Sequence, residues 1–239
     1  MNIAIIGYGK MGKVIEEIAI KRGHTIVLKI SSSNAHELTT ENLKKADAAI
    51  EMTQPEAAKN NVLLCLEAGV PVTSGTTGWN TEIPEAHKAA QNNNTAFLYA
   101  SNYSVGVNIF FELNQALAKL MNGHGDYDVK MTEIHHTQKK DSPSGTAITL
   151  ANQVIDNLSR KTKWSEEETG DDILHITALR EEGVPGTHTV TYTSAIDDIE
   201  ITHTAHNRTG FALGAVLAAE FIAGKKGVFT MKDVLGINA

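Results

Sequence analysis

Asn2-Ile-Ala-Ile-Ile-Gly-Tyr-Gly-Lys-Met-Gly12 decides the fold. A short apolar run ends in glycines, and Val14, Ile15, Ile18 and Ala19 then recur at helical spacing up to Arg22-Gly23. The pattern predicts a strand, a tight turn and a helix, with a second apolar run from Thr25 to Ile30 directly behind. A G-x-G-x-x-G at the first strand-to-helix turn carries a physical meaning that an isolated one lacks. Gly7 permits the turn, Gly9 lets the backbone approach a pyrophosphate, and Gly12 allows close helix packing. The helix start adds free N–H groups and the positive end of its dipole. The competing reading is a glycine turn that binds no nucleotide.

An acidic residue near the end of the second strand usually holds the ribose 2′-hydroxyl of NAD. Here that place reads Lys29-Ile-Ser-Ser-Ser33, and no carboxylate follows until Glu37. Ser31 and Ser32, with Lys29 nearby, therefore point toward NADPH being accepted; the alternative is a merely polar loop. The same alternation continues: strands over 48–52, 71–73 and 96–99, helices over 55–68 and 83–91. Repeated strand-helix units imply a parallel sheet covered on both faces, with ligands at the carboxyl ends of its strands. Gly75-Thr-Thr-Gly78 and Ser101-Asn-Tyr-Ser104 fall at such ends, either as simple turns or as cofactor-lining turns.

From Val105 the texture changes. A helix is expected over 108–121, a strand over 128–136, and a helix from Gly145 with Ile148, Ala151, Ile155 and Leu158 facing inward. β-rich segments over 173–180, 187–193 and 199–205, separated by Gly183-Val-Pro-Gly186 and Asp197-Asp198, suggest an antiparallel meander. The run 163–172 reads as a solvated loop. A buried helix over 210–224 and a short strand and turn over 228–235 are expected to pack back onto the first domain. The fold class is thus α/β: a Rossmann-type parallel-sheet domain over 1–104 and 209–239, and a second α+β domain with a mostly antiparallel sheet over 105–208.

The 239 residues carry a net charge of −7, which argues against nucleic-acid or anionic-membrane partners. Met1 to Ile6 lacks the basic region and length of a signal peptide, so a cytoplasmic location is expected. The apolar run 211–224 is shorter than a bilayer span and contains Glu220. Cys65 is the single cysteine; it excludes an internal disulfide or a cysteine-based zinc site, and it reads as a core residue among Val62, Leu63, Leu64 and Leu66.

The chemistry concentrates in Glu133-Ile-His-His-Thr-Gln-Lys-Lys-Asp-Ser-Pro-Ser-Gly-Thr-Ala147. His135 and His136 end a strand, where side chains alternate, so they should do different jobs. Imidazole is the natural proton donor at neutral pH, and Lys139 adds a positive charge. A helix starting at Ser144-Gly145-Thr146 would offer N–H groups and hydroxyls to a carboxylate. Each feature alone has an ordinary explanation, a helix cap or partly buried polar residues; their adjacency points to a site for a small polyanion that must be protonated. Scattered His175, His188, His203 and His206 raise a metal-dependent hydrolase, but no H-E-x-x-H spacing exists, so no metal is expected and solvated or intersubunit strand histidines fit better. Arg208 is a candidate carboxylate clamp or an ordinary surface residue.

The stretch 133–147 closely resembles the signature of the 4-hydroxy-tetrahydrodipicolinate reductase family of the diaminopimelate route to lysine. The similarity extends through Gly75-Thr-Thr-Gly-Trp79, Asn102-Tyr-Ser-Val-Gly106, Val184-Pro-Gly186 and Ile201-Thr-His203 to Arg208. It implies NADPH- or NADH-dependent reduction of a cyclic dicarboxylate. His135 matches the family's proton donor, Lys139 its second catalytic cation, and His136 with Gly145 and Thr146 its substrate-carboxylate contacts. Gly7, Tyr8, Gly9, Lys10, Met11 and Gly12 match a cofactor-contacting turn, as do Gly75, Thr76 and Thr77, and Ala100, Ser101, Asn102 and Tyr103. The resemblance also implies a cytoplasmic homotetramer built through the second domain's sheet. Two departures, a first loop one residue shorter and Ser31-Ser32 in place of an acidic residue with its basic neighbour, bear on cofactor preference. The rival readings are another two-domain nicotinamide oxidoreductase and a catalytically silent nucleotide-binding module.

Overall fold

β1 (Asn2–Ile6) is buried at every position after Asn2 because both faces of its sheet are covered, which is why its sequence is continuously apolar. Ala4 and Ile6 join one core with Leu28, Val62, Leu66 and Phe97; Ile3 and Ile5 join another with Ile15, Ile50, Leu98 and Val216. The computed structural model describes residues 1–207 and 209–237. The chain divides into two compact units, Met1–Val105 with Thr209–Ala239, and Gly106–Arg208.

In the first unit, β1 leads through α1 (Lys10–Lys21) to β2 (Thr25–Ile30), and α2 (Thr40–Leu43) precedes β3 (Ala48–Glu51). Next come α3 (Pro55–Glu67), opened by proline at its first turn, β4 (Val72–Ser74), α4 (Ile83–Asn92) and β5 (Ala96–Tyr99). The second unit holds α5 (Val105–Met121) from its second residue on, β6 (Asp128–His135), α6 (Gly145–Asn157), β7 (Lys163–Ser165), β8 (Ile173–Arg180), β9 (Gly186–Thr193) and β10 (Asp198–Ala205). The chain then returns with α7 (Thr209–Ile222), β11 (Gly227–Phe229) and α8 (Met231–Val234). The first sheet is parallel throughout, in the order β11-β5-β4-β3-β1-β2. α7 lies against it at Gly214, where a Cβ would stand 1.7 Å from the Tyr103 carbonyl oxygen, so only glycine fits.

The second sheet has the order β10-β9-β6-β8-β7, and it corrects the sequence reading in three places. β9 and β10 form the expected antiparallel hairpin, but β8 does not pair with β9: β6 lies between them, antiparallel to β9 and parallel to β8. The central place suits β6 because Val129, Met131, Glu133 and His135 along its inner face are all buried. Second, 163–165 forms the strand β7 beside β8 rather than part of a solvated loop. Third, α6 packs through Ala147, Leu150, Ala151 and Val154 rather than Ile148 and Ile155, which are half-buried. Ser144, tied beneath the sheet as described below, fixes which side of the first turn faces inward.

Candidate active site

Gly7 sits where β1 ends, at the carboxyl edge of the first sheet. Its φ is 101°, and a Cβ there would lie 2.0 Å from the Met52 carbonyl oxygen, so the turn requires glycine. Gly12 is equally constrained, its Cβ falling 2.5 Å from the Gly7 carbonyl oxygen. Gly9, immediately before α1, is different: nothing lies within 4 Å of its Cβ position. An open approach to a helix N-terminus is what a phosphate group needs. A cavity of about 480 Å³ lies there, lined by Gly7, Tyr8, Gly9, Ser31, Ser32, Thr53 and Asn61 among others, with no carboxylate in its lining. A second, of about 400 Å³, is lined by Met11, Gly75, Thr76 and Thr77, and shares Met52, Thr53 and Gln54 with the first. These residues fit a dinucleotide whose pyrophosphate meets the glycine turn.

Several candidate positions take other places. Lys10 is exposed at the start of α1. Lys29 donates to Glu16 at 3.1 Å and lies 5.2 Å over the Tyr8 ring, whose hydroxyl also donates to Glu16. Its charge is therefore matched within the protein. Ala100 to Tyr103 line neither cavity. Tyr103 is buried, its hydroxyl donating to the Ser74 carbonyl at 2.8 Å and accepting from Thr73 at 2.5 Å, so this side chain serves the fold rather than facing a ligand. The sequence reading missed the turn after β3, Met52-Thr-Gln54, which its place at the end of a parallel strand could have signalled. It also missed Glu51. That side chain is fully buried and accepts from Ser74 Oγ at 2.6 Å, Thr76 Oγ1 at 2.9 Å, the Thr53 N–H at 3.0 Å and the Thr53 hydroxyl. It thereby binds two of the cavity-lining turns to each other.

In the second unit, β6 carries His135 to its end, on the inner face and nearly buried. Two residues earlier on that face Glu133 is wholly buried, and the Ser144 N–H donates to both of its oxygens at 3.1 Å. Arg180 of β8 donates to Glu133 at 3.4 Å and to the Asp141 carbonyl at 2.8 Å. His188 of β9 places Nε2 3.5 Å from Glu133 and 3.1 Å from Ser144 Oγ, and its ring centre lies 5.0 Å from that of His135. Gly186 leaves room for the His135 ring: a Cβ there would press to 3.0 Å from His135 Nε2. Burial drives Glu133 toward its neutral form, but hydrogen bonds from His188 and Ser144 and the His135 charge outweigh it, holding the carboxyl down at about 2. Burial lowers His135 to about 4; Glu133 opposes this, while His188, Lys139 and Arg180 add to it. Without a ligand, His135 is therefore neutral at neutral pH, which corrects the expectation of an imidazole poised near its ordinary value.

His136 follows β6 half-buried, and Lys139 closes a turn by donating its N–H to the His136 carbonyl at 3.1 Å. Lys139 Nζ meets both oxygens of the largely exposed Asp141, at 2.9 and 2.8 Å. Ser144 caps α6, accepting from the Ala147 N–H at 3.1 Å, and is buried with its N–H on Glu133. Its groups point into the protein, whereas Gly145 is exposed at the first helical position, in the turn where helix N–H groups have no acceptor inside the helix. His188, expected as a solvated or intersubunit histidine, is buried within the network instead. Glu133, His135 and His188 bring ligand-type atoms within 4.8 Å of one another. The Arg180 guanidinium and the Ser144 N–H already occupy the carboxylate, and a metal ion would have to share it with a fixed positive charge, so these residues form a hydrogen-bonded cluster. Arg208 lies outside the described residues.

Residues 1–103 match the family model described as dihydrodipicolinate reductase, N-terminus, and residues 106–235 the one described as dihydrodipicolinate reductase, C-terminus. The chain belongs to the dihydrodipicolinate reductase family. Among curated relatives, the 4-hydroxy-tetrahydrodipicolinate reductase of Christiangramia forsetii is 54% identical over 236 residues, 98% of each chain. That of Methanoculleus marisnigri is 39% identical over 202 residues, 82% of this chain and 78% of its own. A solved dipicolinate-bound dihydrodipicolinate reductase from a Paenisporosarcina species shares the fold, with a TM-score of 0.78 at 21% identity over 96% of this chain and 97% of that one. In this chain the stretch 133–147 is the part of the second unit where Glu133, His135 and Ser144 meet Arg180 and His188.

Proposed function

We infer that the protein reduces 4-hydroxy-tetrahydrodipicolinate to tetrahydrodipicolinate with a reduced nicotinamide dinucleotide. The observation that carries this reading is the buried His135 at the end of β6, followed by the turn of His136 and Lys139 and the start of α6, in a chain 54% identical to a reductase of that name. In balance, the substrate loses its hydroxyl as water and gains one hydride and one proton. A bound reduced nicotinamide supplies the hydride. The first unit holds the dinucleotide at Gly7 to Gly12, Ser31, Ser32, and Gly75 to Thr77. His136, Lys139, Gly145 and Thr146 hold the substrate carboxylates, and His135 delivers the proton to the ring carbon left electron-rich by hydride addition. Two carboxylates near His135 raise its proton affinity, so the substrate itself charges the acid it needs. A dicarboxylate such as dipicolinate, bound in the Paenisporosarcina enzyme, is the ligand class expected here.

Both NADH and NADPH serve, in our reading. No carboxylate lines the cavity where the 2′-phosphate of NADPH would be repelled, and Lys29, paired with Glu16, gives that phosphate little preference. The two dissociation constants are expected to lie within roughly tenfold of each other. We further propose a cytoplasmic homotetramer assembled through the second sheet. The face opposite α6 offers Thr177, Thr132, Thr189 and Thr202 in register across β8, β6, β9 and β10, a flat row suited to a second copy. Among the described residues no helix is long and apolar enough to cross a membrane. Chemistry through a thioester is disfavoured because Cys65 is fully buried and burial pushes its thiol up.

Mixing the purified protein with enzymatically generated substrate and either cofactor should consume the nicotinamide absorbance band. No consumption with NADH or NADPH overturns the reading.

A further inference from the structure

We propose that Glu133 is a positioning residue for this reduction, supplying the negative charge that lets His135 hold its proton and bracing the substrate-binding turn against the sheet. The inference rests on the reading of His135 as the proton donor.

The inner row of β6 runs Val129, Met131, Glu133, His135. Its first two members pack against α6, and a third apolar residue would suit the same layer. A wholly buried carboxylate there is costly unless it is paired and hydrogen-bonded. Its partners sort into two groups with different effects. The Ser144 N–H on both oxygens, and Arg180 reaching on to the Asp141 carbonyl, fasten residues 141 and 144 to the sheet. Between those anchors and β6 runs the turn that carries His136 and Lys139, so the brace sets where the carboxylate-holding groups stand.

The second group is electrostatic. His135 Nδ1 is buried with no hydrogen-bond partner, and the Glu133 carboxylate stands 3.5 Å from it. The other charged or titratable groups facing His135 are His188 from β9, Arg180 from β8 and Lys139 from the turn, and each disfavours an imidazolium. Glu133 alone among these favours it. Without that charge, burial and three repelling neighbours would surround the donor, and bound substrate would have to overcome all of them.

Two substitutions in the full-length protein separate the two effects. Glu133→Gln keeps an acceptor for the Ser144 N–H and removes the charge. In single-turnover reactions at saturating cofactor and substrate, the alkaline limb of the rate, where His135 loses its proton, should move down by about one pH unit, so the rate above the limb falls about tenfold. Dipicolinate affinity in this variant should stay within about threefold of the unsubstituted protein. Glu133→Asp keeps the charge on a shorter arm: the limb should stay in place while dipicolinate binding weakens several-fold. Should Glu133→Gln fail to fold, Arg180→Met takes its place; removing a repelling neighbour must then move the limb to higher pH. An unmoved limb in Glu133→Gln or in Arg180→Met, or parallel losses of rate and binding in both Glu133 variants, overturns the proposal. Turnover that survives His135→Gln overturns instead the donor reading on which the proposal rests.

Discussion

Glu51 and Glu133 are two buried carboxylates doing different work. Each stands at or near the carboxyl end of a central strand, in a separate unit, and each is 0% exposed. Glu51 is surrounded by the Thr53, Ser74 and Thr76 hydroxyls and one N–H, all neutral. Glu133 is surrounded by Arg180, His135 and His188 as well as the Ser144 N–H. Neutral partners can fix only the shape of a turn. Charged and titratable partners fix shape and proton affinity together, and on the proposed function that is the difference between a unit that would hold a cofactor and a unit that would move a proton.

The sharpest way to break this comparison is to remove each carboxylate. Glu133→Leu strands a guanidinium in a half-buried site and should cost about 3–5 kcal/mol. Glu51→Leu leaves hydroxyls that can bond to one another and to Asn61, which already donates to Thr53 at 3.2 Å, and should cost about 1–3 kcal/mol. Urea midpoints measure both, and the reverse order would contradict the distinction. Glu51→Leu should also raise the KM for cofactor without moving the alkaline limb of the rate.

Acid sharpens the comparison next, because the shifts of Glu133 and His135 act in one direction. Between its ordinary value of 6.5 and about 4, His135 binds a proton in the unfolded chain but not in the folded one; between 4.5 and about 2, Glu133 does the same. The stability they confer is therefore complete above about pH 6.5 and is lost as pH falls through the two folded values, by roughly 3 kcal/mol for each group at most. Thermal melts from pH 7 to pH 5 should show a falling Tm that His135→Asn flattens. An unchanged slope in that variant would argue that the ring is not held neutral.

The smallest effect concerns space. Gly186→Ala places a methyl 3.0 Å from His135 Nε2, where the ring must give by a few tenths of an ångström. The expected result is a stability loss of about 1 kcal/mol with a several-fold slower rate, and no change in cofactor affinity.

The first unit could be read from the chain because its signals are local. Gly7, Gly9 and Gly12 lie within six positions, and each strand announces the helix behind it. The second sheet could not, since the pairing of β6 with both β8 and β9 is set by contacts distant in sequence, and the three residues of β7 carry no periodicity. The same division runs through the site. His135, His136, Lys139 and Gly145 stood out by adjacency, whereas the partners that give Glu133 its charge environment come from other strands, Arg180 from 47 positions away. Tyr103 misled for the opposite reason: its neighbours are turn residues, and only packing shows its hydroxyl turned inward on β4.

One measurement tests the central claim most directly. His135→Gln, which keeps a polar side chain of similar reach without a titratable proton, should lower the single-turnover rate of nicotinamide oxidation by about 10²-fold or more while dipicolinate affinity changes by less than about threefold. A rate close to that of the unsubstituted protein, or losses of rate and affinity in equal measure, would contradict proton delivery by His135.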